Sequence, residues 1–342
     1  MKMFLSMLAL VVLSSAANAQ VGSLVDADVN ERLSIEDPAV AAAKTGDGWF
    51  AFSFPAIEGT RSPCCWKGTW KRTTEVACAL EKEFQSYGTS SSSPEEDTIV
   101  AYAKVDRGEV ARLKVAGAQC PMDAGGKPVT WIGGTDRKDT LDWLEDLART
   151  GNEDRIGHSA LWAMALHAGD SATDRLHALA REKNGELAGE SIFWLGEARG
   201  EAGFEALEEL LQELPAGDTR RQINFALGQN DSDEAVSLLA DIARSDRDPE
   251  QRGDALFWLA QEYPEQAEPL IRDIIETDRD SDLLERAVFA LSQLPEDIAG
   301  PALMAVLKDS DAPREARRHA LFWLVHEGDE ESVTALTELL TR

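Results

Sequence analysis

Few groups in this 342-residue chain could do covalent or metal chemistry, and the cysteines come first. Cys64, Cys65, Cys78 and Cys120 all fall in the front part of the chain. Four thiols can close two disulfides or offer four thiolates to a zinc ion. A zinc site favours paired C-x-x-C knuckles, which are absent, and no histidine precedes His158 to complete a ligand set. Two disulfides are therefore the expected chemistry. Adjacent cysteines rarely join each other, because the small ring strains the peptide between them. Cys64 and Cys65 are expected to reach separately to Cys78 and Cys120, and the spacing does not say which goes to which.

The other reactive residue types give less. His158, His167, His177, His319 and His326 are scattered, and none forms H-E-x-x-H. His326-Glu327 begins like that motif, but Glu330 stands where the second histidine would be. There is no G-x-S-x-G elbow and no P-loop, and Gly125-Gly126 and Gly133-Gly134 are pairs suited to turns. Carboxylates are too abundant to be diagnostic. The sequence thus names no catalytic residue, no cofactor and no resident metal.

Two recurrent positions are candidates for binding. Glu197, Gln229, Gln261, Gln293 and His326 each stand four residues after an aromatic anchor, so a helix sets each one turn beyond its ring. They can satisfy helix-end backbone, or they can form a ladder that reads a partner. Trp162, Trp194, Trp258 and Trp323 share a second position, with Ala226 and Ala290 in the gaps. They are expected either to pack the core or, if exposed, to form an aromatic strip for a peptide or a sugar.

The elements that must carry these positions follow from their spacing. Phe193, Phe225, Phe257, Phe289 and Phe322 recur at intervals of 32, 32, 32 and 33 residues. A second set recurs in the same register: Leu207/Leu210/Leu211, Leu239/Ile242/Ala243, Ile271/Ile274/Ile275, Leu303/Val306/Leu307 and Leu336/Leu339/Leu340. Offsets of three and four put each triplet on one helical face. Each unit is then a helical hairpin joined by a short turn rich in Gly, Pro, Asp and Glu. Asp248-Pro249-Glu250-Gln251 supplies an N-cap, a first-turn proline and an acceptor three residues after the cap. One hairpin cannot bury both its apolar faces, so neighbours must stack into a solenoid. Arg220, Arg252, Arg286 and Arg317 lie near helix starts, where the dipole disfavours cations, and are expected to pair with acidic loops of adjacent repeats.

The stretch "DPEQRGDALFWLAQ" followed by "EQAEPLIRDII" resembles the short bacterial HEAT-like repeat of the phycobilisome-lyase type. The matching residues are Asp248, Arg252, Ala255, Leu259 and Ala260. The resemblance covers about residues 152 to 342 in six copies, the first divergent around Leu161-Trp162. It implies an architecture and transfers no catalytic residue. The fold class expected is mainly α: a solenoid of about six HEAT-like hairpins over 139–342, preceded by a small β-rich, disulfide-containing domain over 20–138.

In that front domain, "WFAFSFPAI", "TIVAYAKV", "EVARLKVA" and "PVTWI" read as strands, with Asp106-Arg107-Gly108 as a hairpin loop. "SYGTSSSSPEED" reads as a polar, mobile loop, and 139–149 as the helix capping the solenoid. Residues 1–19 read as a secretory signal with Ala17-Asn18-Ala19 at its cleavage site, which implies a secreted, periplasmic protein. Its apolar core is too short to span a bilayer, so no stable membrane insertion is expected.

Charge completes the reading. The chain has net charge −28; its first 150 residues hold 16 basic and 21 acidic residues, net −5, which leaves −23 for the rest. This opposes binding of nucleic acid or anionic lipid heads. The expected function is an exported adaptor that takes a protein partner, a basic one, on the concave face of the acidic solenoid. Two alternatives stand beside it: an enzyme or accessory subunit with its site near Cys120-Pro121, Asp123 and Gly125-Gly126, or a cell-wall sugar binder using tryptophans that include Trp66 and Trp70.

Overall fold

A computed structural model describes residues 23–31, 37–69, 72–82, 87–88, 93–135, 137–151, 155–182, 185–214 and 217–327. The signal at 1–19, Trp70, and the last apolar triplet with Leu336, Leu339 and Leu340 lie outside them. The chain divides into two compact units, Met1–Trp143 and Leu144–Arg342.

The first unit runs β1 (Leu24–Glu31), α1 (Pro38–Thr45), β2 (Gly48–Pro55), β3 (Cys64–Thr69), β4 (Arg72–Val76), β5 (Cys78–Ala79), β6 (Tyr87–Gly88), β7 (Thr98–Asp106), β8 (Glu109–Gly117) and β9 (Met122–Gly134). The main sheet has the order β1-β9-β2-β7-β8, with β5 added beside β9; β4-β3-β6 form a second sheet. β2 is central, and every residue from Trp49 to Phe54 is buried, as expected of a strand covered on both faces. On one face Phe50 and Phe52 meet Trp143, with ring centroids 6.0 and 5.6 Å away. On the other, Trp49 and Ala51 join a core that contains all four cysteines, Tyr102 and Trp131.

The hairpin loop falls where the sequence puts it. Asp106 pairs with Glu109, and Arg107 and Gly108 both have positive φ, the two-residue primed turn. Asp47 Oδ1 accepts the Arg107 amide at 2.7 Å and holds that turn. Of the expected mobile loop over 86–97, residues 86 and 89–92 lie outside the described residues, and its last part is held in place. Ser93 and Glu96 are buried, and 93–97 is laced to 60–62 by Ser62 N donating to Pro94 O and Glu96 N donating to Thr60 O, both at 2.8 Å. The serine-rich composition concealed this because the segment is held by its backbone. The Gly125-Gly126 pair lies in a bulge of β9 between the Val25–Asp123 and Ala27–Lys127 pairs, both glycines having positive φ.

The disulfides are Cys64–Cys120 and Cys65–Cys78, closing separations of 56 and 13 residues. The sulfurs of Cys64, Cys78 and Cys120 lie within 4.8 Å of one another, so the two bonds stack in one buried cluster.

Glu81 ties three strands to that core. It accepts from Trp49 Nε1 at 2.8 Å, from Lys104 Nζ at 2.9 Å and from Lys127 Nζ at 2.9 Å. Burial raises its pKa, but the hydrogen bonds from Lys104, Trp49 and Lys127 outweigh that and bring it to about 2. A depressed folded pKa gives stability that is present above the unfolded value and is lost as pH falls through the folded one. Glu81→Gln is expected to cost about 2 kcal/mol at pH 7, discounted for partial solvent screening. In urea titrations at stepped pH the gap from the parent should narrow between about 4.5 and about 2.

Helix α2 (Arg137–Thr150) crosses the division between the units. The array follows as hairpins α3 (Ile156–Leu166)/α4 (Asp170–Ala180), α5 (Gly185–Ala198)/α6 (Gly200–Glu213), α7 (Asp218–Gly228)/α8 (Asp233–Ser245), α9 (Pro249–Glu262)/α10 (Pro264–Thr277) and α11 (Ser281–Ser292)/α12 (Glu296–Lys308), then α13 (Arg314–Glu327). In chain order, a disulfide-bonded β domain is followed by an α-solenoid. Asp248 caps α9, accepting from Glu250 N at 2.9 Å, with Pro249 first in the helix. Gln251 does not close a capping box: it is buried against α7, where its Oε1 accepts from Asn224 Nδ2 at 3.2 Å.

Consecutive first helices pack directly on one another from α5 to α13, whereas the second helices from α6 to α12 stand further apart. In a curved two-layer stack, the more closely spaced layer is the inner one. Glycines permit that spacing: a Cβ on Gly196 would sit 2.1 Å from Ala226 O. Gly196→Ala is expected to wedge α5 from α7 and cost about 2 kcal/mol, read by urea denaturation.

Repeats are also linked through loops. Arg199, 3% exposed, donates to Ala165 O (2.9 Å), His167 O (2.7 Å), Gly169 O (2.9 Å) and Thr173 Oγ1 (3.0 Å). One hairpin further, Asn230 Nδ2 donates to Gly196 O and Gly200 O, and Tyr263 OH donates to Asn230 O. Arg220 pairs with Asp246 at 2.9 Å and Arg252 with Asp278 at 2.8 Å, the Arg–loop ladder expected from the sequence.

Candidate functional site

The 32-residue interval that carries the phenylalanines also builds the inner surface. On a helix, positions four before and four after a Phe share its face, and the next residue is turned by about 100°. Repeated across the inner layer, this sets rings along the middle, one row of polar residues toward the helix starts and another toward the helix ends.

The rings touch from repeat to repeat. Centroid distances are 5.9 Å for Trp162–Trp194, 5.8 Å for Phe193–Phe225, 4.6 Å for Phe225–Trp258, 5.8 Å for Phe257–Phe289 and 5.3 Å for Phe289–Trp323. Within repeats, Phe193–Trp194, Phe257–Trp258 and Phe322–Trp323 close the gaps at 4.9, 4.9 and 5.2 Å. The result is an unbroken ladder from α3 to α13 whose rings from Trp162 to Trp323 are half-buried, ending at Phe322, 57% exposed. Along this repeat position the order is Trp162, Trp194, Ala226, Trp258, Ala290 and Trp323. Trp258 leans back on Phe225 and lies against Gly228, where its Cβ would lie 3.2 Å from an added Cβ. Trp323 leans on Phe289 with a similar tilt.

A groove of about 720 Å³ opens over Phe225, Phe257, Trp258 and Phe289. Its helix-start rim holds Arg221, Gln222, Asp254 and Arg286. The Arg286 stem crosses Gly253, where a Cβ would lie 2.3 Å from Arg286 Cδ, and brings its guanidinium to 3.4 Å from both Asp254 and Glu250. Arg221 reaches Asp218, Glu250 at 3.6 Å and Asp254 at 4.0 Å. Burial pushes the Asp254 carboxyl up, against the pull of Arg286 and Arg221.

The helix-end rim is the polar ladder. Glu197 and Gln261 are exposed; Gln229 Nε2 donates to Glu262 at 3.3 Å, and Gln293 Nε2 to Ser292 Oγ at 3.2 Å. His326 lies 5.7 Å from both the Phe322 and the Trp323 rings. Partial desolvation, then the charges of Asp231 and Glu262, push the Glu197 carboxyl up. The structure thus brings the two sequence-singled rows, polar and aromatic, to one surface. Arg221, Gln222 and Asp254 were not singled out in the sequence. Their signal was available, since they stand three or four residues before Phe225 and Phe257.

The remaining candidates do not converge. His158 pairs with Glu190, His177 lies 3.7 Å from Glu209, His319 lies 3.8 Å from Glu285, and His167 is buried against Ala168 O at 3.1 Å. Arg286 turns to Asp254 and Glu250 instead of joining the loop ladder, and Arg317 Nε is buried with no hydrogen-bond partner among the described residues. In the first unit Cys120 is disulfide-bonded and Asp123 Oδ1 accepts from Gly125 N at 2.8 Å, shaping the β9 bulge. Trp66 lies on β3 with its side chain outside the described residues. The cysteines are the only cluster with metal-ligand spacing among the described residues, and disulfides occupy their sulfurs. No described helix is long and apolar enough to cross a membrane.

The family model of the PBS lyase HEAT-like repeat matches residues 283–309, which lie on α11 and α12. The array is built of HEAT-like repeats. Among solved structures, the CpcE–CpcF complex of phycocyanin lyase from Nostoc sp. PCC7120 is similar at 20% identity over 45% of this chain and 99% of that one, TM-score 0.33. Human deoxyhypusine hydroxylase in complex with glycerol is similar at 15% identity over 58% and 88%, TM-score 0.27. Kap121p is similar at 10% identity over 59% of this chain and 27% of that one, TM-score 0.37. No curated protein matches the chain in sequence.

Proposed function

We propose that the protein is an exported adaptor that holds a basic protein partner in the aromatic groove of its acidic HEAT-like array. The observation that carries this reading is the unbroken ladder of half-buried rings across the inner layer. A contiguous apolar strip left open to solvent is a feature of surfaces that bind. In Trp162–Trp194, Phe193–Phe225 and Phe257–Phe289 the rings turn their faces on one another. That suits side-chain packing better than stacking of a sugar ring.

The net charge of the array favours a basic partner and gives it long-range steering. Arg221 and Arg286 do not reverse this, because Asp218, Glu250 and Asp254 already match them. Export rests on the leader at 1–19, and a periplasmic site agrees with two disulfides, which persist in oxidising compartments.

The test is affinity capture from an envelope extract with the full chain and with Gln222→Trp, which fills the groove mouth from an exposed position. A basic protein retained by the parent, released by about 0.5 M salt and lost with the variant is the expected result. A retained set indifferent to both salt and the substitution would remove the reading.

A further inference from the structure

We infer that α13 is a docking face for a second copy of this chain, the two helices meeting antiparallel about a two-fold axis. Among the described residues five large apolar side chains are exposed, and three of them lie on α13: Leu321, Phe322 and Val325, at 38%, 57% and 62%. Offsets of one and four put them on one side of that helix. The matching positions of earlier repeats are closed. Ile192, Asn224, Leu256 and Val288, which match Leu321, are fully buried. Gly196, Gly228, Ala260 and Ser292, which match Val325, are buried too. The first helix of the next repeat covers them: a Cβ on Gly196 would meet Ala226 O at 2.1 Å, and one on Gly228 would meet Trp258 Cβ at 3.2 Å. No described helix follows α13 in that place. A repeat that ends an array in water carries a polar outer face, whereas α13 presents the apolar face of an inner repeat. The element shaped to cover it is another first helix, and α13 of a second copy is one whose own face is equally open.

Charge favours that occupant and sets its direction. Because the array is acidic, two copies repel one another over most of their surfaces. α13 is different at its start, where Arg314, Arg317 and Arg318 are gathered, and its end passes from Glu327 into Asp329, Glu330 and Glu331. Arg314 and Arg318 are exposed and stand eight and four residues before Phe322, on its side of the helix. Arg318 pairs within its own helix, with Glu315 at 2.7 Å. Laid antiparallel, the arginines of each helix come beside the acidic end of the other, and the apolar residues meet at the axis. Laid parallel, like charges face each other. A two-fold contact uses one patch on both copies, so the patch must complement itself, and the order basic, apolar, acidic along α13 does so.

The experiment is sedimentation velocity of the full chain over a range of concentrations. A reversible dimer is expected, with a dissociation constant on the order of 10 µM for so small a contact. Val325→Asp should weaken it at least about 100-fold, with the urea midpoint unchanged because the residue is exposed. Two charge reversals test the direction. Arg314→Glu with Arg318→Glu, and separately Glu327→Lys with Asp329→Lys and Glu330→Lys, should each leave the chain monomeric, and mixing the two should restore a dimer. A parent that stays monomeric up to about 200 µM would overturn the inference and leave the face to residues 328–342 or to another protein. A dimer indifferent to Val325→Asp, or reversals whose mixture remains monomeric, would overturn it as well. None of these results bears on the adaptor reading, which capture by the groove tests.

Discussion

Replacing Arg199 by leucine is expected to lower the unfolding free energy by about 3–5 kcal/mol, the largest single-residue effect in the array. Leucine replaces the packed stem of the buried side chain but not its guanidinium, so the loss combines unfilled space with unmade hydrogen bonds. Ala165 O and His167 O would each lose this donor, at about 1–3 kcal/mol per group, while Gly169 O would keep the Ala172 amide at 3.3 Å. Burial pulls the Arg199 pKa down to about 10, with Asp170 acting the other way, so the guanidinium still carries its charge at neutral pH. Arg199→Lys should recover only part of the loss, because an ammonium cannot span four acceptors with the geometry of a planar fork. Urea denaturation followed by far-ultraviolet circular dichroism reads both variants. A cost under about 1 kcal/mol for Arg199→Leu would mean that the loop carbonyls find other partners.

Removing the two disulfides separately should give unequal losses confined to the β domain. The Cys64–Cys120 bond closes a separation of 56 residues, and chain entropy puts its contribution at about 4 kcal/mol. Cys65–Cys78 closes 13 residues and contributes about 3 kcal/mol. The paired serine variants C64S/C120S and C65S/C78S leave no unpaired thiol to reshuffle. Near-ultraviolet circular dichroism during denaturation should show the larger drop for the first pair. The reverse order would show that local packing, not loop length, governs these bonds.

The array was legible in the sequence because its periods are local. Thirty-two-residue spacing of Phe and the three-and-four offsets after it fix helix, face and neighbour without reference to distant residues. Asp248 and Pro249 marked their helix start for the same reason. The β domain was legible only where strands are joined by tight turns, as at Asp106–Glu109. β9 pairs in parallel with β1, β2 and β5, and nothing in a local pattern of residue types encodes those distant partners. Disulfide pairing was open for the same reason.

The candidate site divides along the same line. Its polar and aromatic rows were visible as repeat positions, as was the choice between core and strip for the tryptophans. What needed coordinates was side-chain direction: Trp258 leaning on Phe225 and over Gly228, and Arg286 lying across Gly253. Arg199 has no counterpart at the matching place in the other hairpins, where Asn230 and Tyr263 do related work, so periodicity could not reveal it.

The central claim is that the inner aromatic groove, and not some other face of the array, receives the partner. A photoreactive phenylalanine analogue placed at Gln261 on the groove rim, and separately at Asp273 on the outer helix α10, tests it in cells making the full chain. The account predicts an adduct with a basic protein from Gln261, diminished by salt, and none from Asp273. Adducts from Asp273 with none from Gln261 would contradict it.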